Sequence, residues 1–272
     1  MSMDRKNKKI NSFLSLIIPS YKQEKTIIRD IESIKKVIDS FNNPYEIIVV
    51  IDGHLDNTET ILKQKKIPHV KVVGYKHNYG KGYAVRYGMA NSKGSMIAFL
   101  DAGMDLNPKG LKLLSDIMIK NNADIVIGSK LHPLSKVKYP WQRKVLSWGY
   151  RSLVKLLFGL SLSDTQVGLK LFKRDVLEDV LPRLLVKRYA FDIEILSVAY
   201  HLGYKKIYEA PIELTFGQWS SITSKNFLDT IGKMLWDTMA VFYRLRILRY
   251  YDDSAQRKWR YDPELNFRVN VV

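Results

Sequence analysis

The 272-residue sequence contains no cysteine. Disulfides and thiolate metal sites are therefore excluded, and the composition fits a reducing compartment. No segment approaches the roughly 18 to 20 consecutive apolar residues that cross a bilayer, so any membrane contact is expected to be peripheral. The opening MSMDRKNKKINSF is polar and basic and is not followed by the apolar stretch of a signal peptide. His54, His69, His77, His132 and His201 are scattered, which speaks against a histidine metal cluster. Acidic residues are scarce: 27 Asp and Glu stand against 44 Lys and Arg, a formal charge of +17. That excess favours a polyanionic partner such as nucleotide phosphates, nucleic acid or an anionic lipid surface.

What is present reads as one α/β domain with appendages. FLSLIIP (13–19) and YEIIVVI (45–51) are short β-branched runs, and between them Ile27, Ile31, Ile34 and Ile38 recur at helical spacing. Strands are likewise expected at 70–73, 96–100 and 125–128, alternating with helices at 82–90 and 108–121. Near-continuous apolar strands separated by amphipathic helices predict a mostly parallel sheet covered on both faces. Such sheets bind ligands at the carboxyl ends of their strands, which directs attention to Pro19, Asp52, Asp101 and the Gly128-Ser129-Lys130 turn. From 125 to 163 there is no acidic residue, and lysines and arginines alternate with aromatics and leucines. Within it, 136–162 reads either as an interfacial amphipathic helix or as a core-packing helix with a basic outer face. A second such stretch, 227–251, places Leu228, Ile231, Leu235, Phe242 and Leu245 on one face. Residues 1–12 read as a basic tail and 252–272 as a polar one.

Several side chains can carry chemistry. A carboxylate at Asp52 can accept the imino proton of a base, and Asp56-Asn57-Thr58 already supplies caps for the next helix. Asp101 and Asp105, in FLDAGMDLNP, are oxygen ligands suited to Mg²⁺ or Mn²⁺, which bind through one or two carboxylates while substrate phosphates complete the shell. HNYGKGYAVRYGMA puts Gly80, Lys81 and Gly82 at a helix start, a candidate phosphate cradle that is neither a Walker loop nor a dinucleotide fingerprint. Asp164, Asp192 and Glu194 are candidate general bases or helix-surface acids. A nucleic-acid-binding module would also explain the charge; against it, the basic residues lie on helices with leucine faces and no RNA- or DNA-binding motif is present.

In order, IIPSYKQEKTI, VVIDGHLDNT, HNYGKGYAVRYGM, AFLDAGMD, VIGSK, DTQVGLKLF and RYAFDIEI resemble the successive motifs of family 2 glycosyltransferases of GT-A fold, in the dolichyl-phosphate mannose synthase and glucosyltransferase branch. The resemblance spans about Leu14 to Thr215 and implies a catalytic domain over 13–218, followed by an amphipathic helical region over 219–251. It implies inverting transfer of a hexose from a UDP- or GDP-sugar to a polyprenyl phosphate, or alternatively to a saccharide, by a protein peripherally attached to the cytoplasmic membrane face. Pro19, Tyr21, Glu24, Asp52, Lys81, Asp101 and Ala102 match nucleotide-sugar positions. Asp101 matches the first acid of the family's metal motif; Gly103 replaces the second, and Asp105 stands where the branch has a further ligand. Lys130 matches a basic position that approaches phosphate and would hold the acceptor's, while 136–162 corresponds to helices lying on the membrane. With a phosphate acceptor, Asp164, Asp192 and Glu194 are left with positioning or base roles.

Overall fold

The computed structural model describes residues 13–103, 106–137, 141–188, 190–214, 227–252, 258–263, 265 and 267–271. The 1–12 tail and Asp105 lie outside them. A seven-stranded sheet is built from β1 (Leu14–Ser20), β2 (Tyr45–Asp52), β3 (Val70–Tyr75), β4 (Met96–Leu100), β5 (Ile125–Ser129), β6 (Leu169–Lys173) and β7 (Ile207–Pro211), in the order β3-β2-β1-β4-β6-β5-β7. All neighbours run parallel except at β6, which is antiparallel to both β4 and β5.

Side-chain alternation explains why the central strands are apolar throughout. In β4, Ile97 and Phe99 join one core while Met96, Ala98 and Leu100 join the other. The second core is closed by α1 (Ile27–Asp39), α2 (Thr58–Lys65) and α4 (Gly110–Asn121). In α1 the buried apolar residues are the four isoleucines of the helical pattern. The first core is closed by α3 (Lys81–Ala90), α5 (Trp141–Phe158), α6 (Arg174–Val180), α7 (Phe191–His201) and α8 (Phe227–Phe242). Every residue of α7 from Phe191 to Ala199 is buried, with α6 and α8 packed against it.

The C-terminal region comprises a helix and a hairpin. Along 227–251 the apolar residues divide: Leu235 is 36% exposed, whereas Val241 and Leu245 are buried. A π-helical turn over Tyr243–Ile247 follows α8. Thr238 is buried among them because its hydroxyl bonds to the Met234 carbonyl and pairs with Tyr150 Oη of α5. Residues 252–272, expected as a polar tail, are not simply that. β8 (Lys258–Asp262) and β9 (Phe267–Val271) form an antiparallel hairpin, and Leu265 between them is 1% exposed within the first core.

That placement predicts a cost of about 2–5 kcal/mol for Leu265→Ala, the range for truncating a buried leucine. Urea unfolding checks it; an unchanged midpoint would return this segment to a solvated tail.

Candidate functional site at the carboxyl edge of the sheet

The parallel strands deliver Ser20, Asp52, Asp101 and Lys130 to one edge of the sheet. Because β6 runs the other way, its entry, Asp164 to Gly168, begins at that same edge. The junction is tight. Asp101 N–H donates to the Gly168 carbonyl at 2.9 Å, and a Cβ added to Gly168 would lie 1.8 Å from Asp101 Oδ2. Only glycine leaves room for the carboxylate. Two residues after Asp101, Gly103 has φ +107°, a left-handed conformation that disfavours an aspartate there. That accounts for the gap in FLDAGMD. Ala102 packs partly buried against the second core.

Asp101 and Asp192 both face Lys81, which opens α3. Lys81 Nζ lies 2.7 Å from Asp101 Oδ1, 2.9 Å from Oδ2 and 3.9 Å from Asp192 Oδ2. Burial pulls the Lys81 pKa down, but the charges of Asp101 and Asp192 outweigh it and hold the ammonium above its usual range. Behind this pair, Asp192 Oδ1 meets Lys170 Nζ at 2.5 Å, and Lys170 also donates to the Val167 carbonyl at 2.6 Å. Lys170 is fully buried, and burial lowers its pKa against the opposing charge of Asp192. Four alternating charges, Asp101, Lys81, Asp192 and Lys170, thus run from the cleft into the interior. Lys170 and Gly168 both lie within the DTQVGLKLF motif. The signal for Lys170 is its strand parity: in β6 it shares the side of Phe172, a core residue, while Leu169 and Leu171 face the other core.

The remaining expected residues divide into three groups. Asp52 is 4% exposed, and its carboxylate accepts hydrogen bonds from Tyr75 Oη, Asn78 Nδ2, Tyr79 N and Gly80 N at 2.9–3.1 Å. It therefore shapes the loop that leads into Lys81, and the donors of that loop already engage both of its oxygens. Pro19 is the penultimate residue of β1 and Tyr21 is half exposed; Glu24 is tied to the β2–α2 loop, accepting from Asn57 N at 3.1 Å while its own N–H donates to Asp56 Oδ2. Lys130 and Asp164 meet at a cavity of about 70 Å³ lined also by Ser147, Arg151 and Thr165. There Asp164 accepts from Lys130 N at 3.2 Å and lies 4.0 Å from Lys130 Nζ.

Glu194 departs from its expected role at the cleft. It is fully buried and accepts from Leu185 N, Val186 N and Tyr251 Oη at 2.7–3.1 Å, with Arg244 at 3.5 Å. Burial raises its pKa against the pull of these donors. A carboxylate so enclosed ties the 185–188 segment to the C-terminal helix instead of serving as a base. That segment also supports α3, since the Lys187 carbonyl accepts from Tyr83 N at 3.0 Å.

Among the described residues no three His, Cys, Asp or Glu side chains converge as a metal cage. The donor set nevertheless fits a hard cation completed by phosphate oxygens. Asp101 Oδ1 is buried yet makes no hydrogen bond, and a positive charge already lies within 2.9 Å of both its oxygens.

Comparison with known proteins gives these features a context. The model of glycosyl transferase family 2 matches residues 15–181. A dolichyl-phosphate beta-glucosyltransferase of Dictyostelium discoideum is 30% identical over 216 residues, 74% of this chain and 66% of that protein. The Homo sapiens protein of the same name is 30% identical over 253 residues, 86% of this chain and 76% of the relative. Among solved structures, glucosyl-3-phosphoglycerate synthase from Mycobacterium tuberculosis, in complex with Mn²⁺, UDP and phosphoglyceric acid, superposes with a TM-score of 0.63 at 19% identity, covering 96% of this chain and 87% of that one. This likeness establishes the GT-A architecture.

Removing Glu194 should cost stability before it touches chemistry. Glu194→Ala leaves Arg244, Tyr251 and two backbone N–H groups without their acceptor, for about 3–5 kcal/mol. Denaturant unfolding measures this; a variant of native stability that has lost only activity would restore Glu194 to the cleft.

Proposed function

The chain belongs to glycosyl transferase family 2, and from that membership we propose that it transfers a glucosyl group from a nucleoside diphosphate sugar to a dolichyl or other polyprenyl phosphate at a membrane surface. The observation that carries the reading is the seating of Asp101 on Gly168 beside Lys81 at the strand edge. The sugar follows the printed names of the relatives, which are beta-glucosyltransferases. A β product from an α-linked donor requires inversion, a single displacement at the anomeric carbon.

Asp101 holds the donor end of the site, with Lys81 next to it as a cation for the diphosphate. Pro19, Tyr21, Glu24, Ala102 and the loop braced by Asp52 form the nucleotide wall. A bound Mg²⁺ or Mn²⁺ on Asp101, with Asp105 as a further candidate ligand, would neutralise the diphosphate as it leaves. On the acceptor side, Lys130 and Arg151 place two positive charges at the cavity beside α5, where they would position a phosphate monoester. A phosphate oxygen is already nucleophilic, so the demand on a general base is small. Asp164 then orients Lys130, and Asp192 anchors Lys81.

The surface beside this cavity suits a lipid acceptor. α5 and α8 pack together through Tyr150 with Thr238 and Phe158 with Phe242. Their outer sides expose Trp148, Leu156, Trp236 and Met239, with Lys155 and Lys233 also exposed. An exposed apolar stripe bordered by cations is the composition of an interfacial helix pair. No helix among the described residues is long and apolar enough to cross a membrane.

The test is a donor screen: UDP- and GDP-glucose and UDP- and GDP-mannose, each with Mg²⁺ or Mn²⁺ and a short polyprenyl phosphate, assayed for glycolipid. Glucolipid is the expected product; turnover only with a soluble saccharide acceptor would overturn the lipid reading. In the same assay Gly168→Ala should lose about 100-fold in rate, the scale of a 1 Å misplacement at a reacting centre, while remaining folded with a stability loss of about 1–3 kcal/mol from the added Cβ. Full activity of Gly168→Ala would remove Asp101 from the chemistry.

A further inference from the structure

The ammonium of Lys81 stands where a cation bound by Asp101 would stand. One positive centre faces both carboxylate oxygens, at 2.7 and 2.9 Å, and Oδ1 meets it as a charge without an aligned hydrogen bond. A second carboxylate waits beside it: Asp192 Oδ2 is 3.9 Å from the same Nζ. The two ends of this row differ in access. The Lys81 and Asp101 side chains are 37% and 38% exposed, whereas Lys170 and Asp192 are at 0% and 6%. The buried pair is fixed, and the outer pair can exchange partners with solvent.

We infer that Lys81 is an exchangeable counter-ion. It neutralises Asp101 while the donor site is empty and yields that carboxylate to a divalent cation arriving with a diphosphate, keeping Asp192 as its remaining partner. The inference rests on the donor-site reading above and adds an order of events to it. With Lys81 in place the four side chains sum to zero charge. A divalent cation alone must displace a tethered ammonium and leaves the site with an excess of two positive charges. A cation that enters with a diphosphate brings the compensating anion, and the freed ammonium gains phosphate oxygens as partners. Metal and nucleotide therefore bind with positive coupling, each strengthening the other by the same factor.

Binding of Mn²⁺ to the full chain, followed by the electron paramagnetic resonance signal of free Mn²⁺, tests this without any turnover. In the absence of nucleotide, Lys81→Met should bind Mn²⁺ about tenfold more tightly than the parent, equivalent to ~1.4 kcal/mol, and Lys81→Arg should remain as weak as the parent. Adding UDP, or GDP in a parallel series, should raise Mn²⁺ affinity more in the parent than in Lys81→Met. Equal or weaker Mn²⁺ binding by Lys81→Met overturns the exchange, as does a parent protein whose Mn²⁺ affinity is indifferent to both nucleotides. Asp101→Ala should abolish the binding. Retention there would instead remove the metal assignment, and the exchange with it, so the two failures are distinguishable.

Discussion

A positive charge buried in the sheet is the constraint on which the site depends. Lys170 has no exposed surface, and a charge in that position is tolerated only when it is paired and hydrogen-bonded. Asp192 from α7 and the Val167 carbonyl meet that requirement. Asp192 is thereby fixed at the base of the cleft, where it helps hold Lys81, and Lys81 in turn faces Asp101. The strand that carries Lys170 also carries Gly168, whose missing side chain admits the Asp101 carboxylate. One antiparallel strand inserted into a parallel sheet therefore supplies both the buried cation and the surface on which the outer acid rests.

Much of the parallel half was legible in the sequence. MIAFL reads as a strand buried on both faces, and both of its faces are covered by helices; the isoleucines of α1 predict the buried side of that helix. β6 was not legible as a strand of reversed direction. Its five residues, LKLFK, contain two lysines, and nothing local distinguishes a parallel from an antiparallel neighbour. The four-charge row follows from that pairing, since Asp101, Lys81, Asp192 and Lys170 come from different elements. For the acids, spacing reveals the residue type but not its surroundings. Asp192 and Glu194 are two positions apart on α7, yet one faces Lys81 and Lys170 and the other is enclosed by Tyr251, Arg244 and the 185–186 backbone.

The C-terminal third links the cleft to the apolar surface. Glu194 connects the Leu185–Val186 backbone to Tyr251 and Arg244, at the end of the helix that exposes Trp236 and Met239. The same segment accepts the Tyr83 N–H two residues after Lys81. On the other side, α5 brings Arg151 to Lys130 while presenting Trp148 and Leu156 outward. A lipid phosphate approaching along that surface would meet the cavity's cations at the edge of the sheet, on the side of Asp101 set by β6.

On the proposed reading, Asp101, seated on Gly168, would hold the cation of a metal–diphosphate donor site. Anomalous diffraction from crystals grown with Mn²⁺ and a nucleoside diphosphate addresses it directly. A Mn²⁺ peak is expected within coordination distance of an Asp101 carboxylate oxygen and of the diphosphate, with Lys81 Nζ withdrawn from that carboxylate. A bound diphosphate whose Mn²⁺ lies elsewhere, with the Lys81–Asp101 pair still closed, would contradict it.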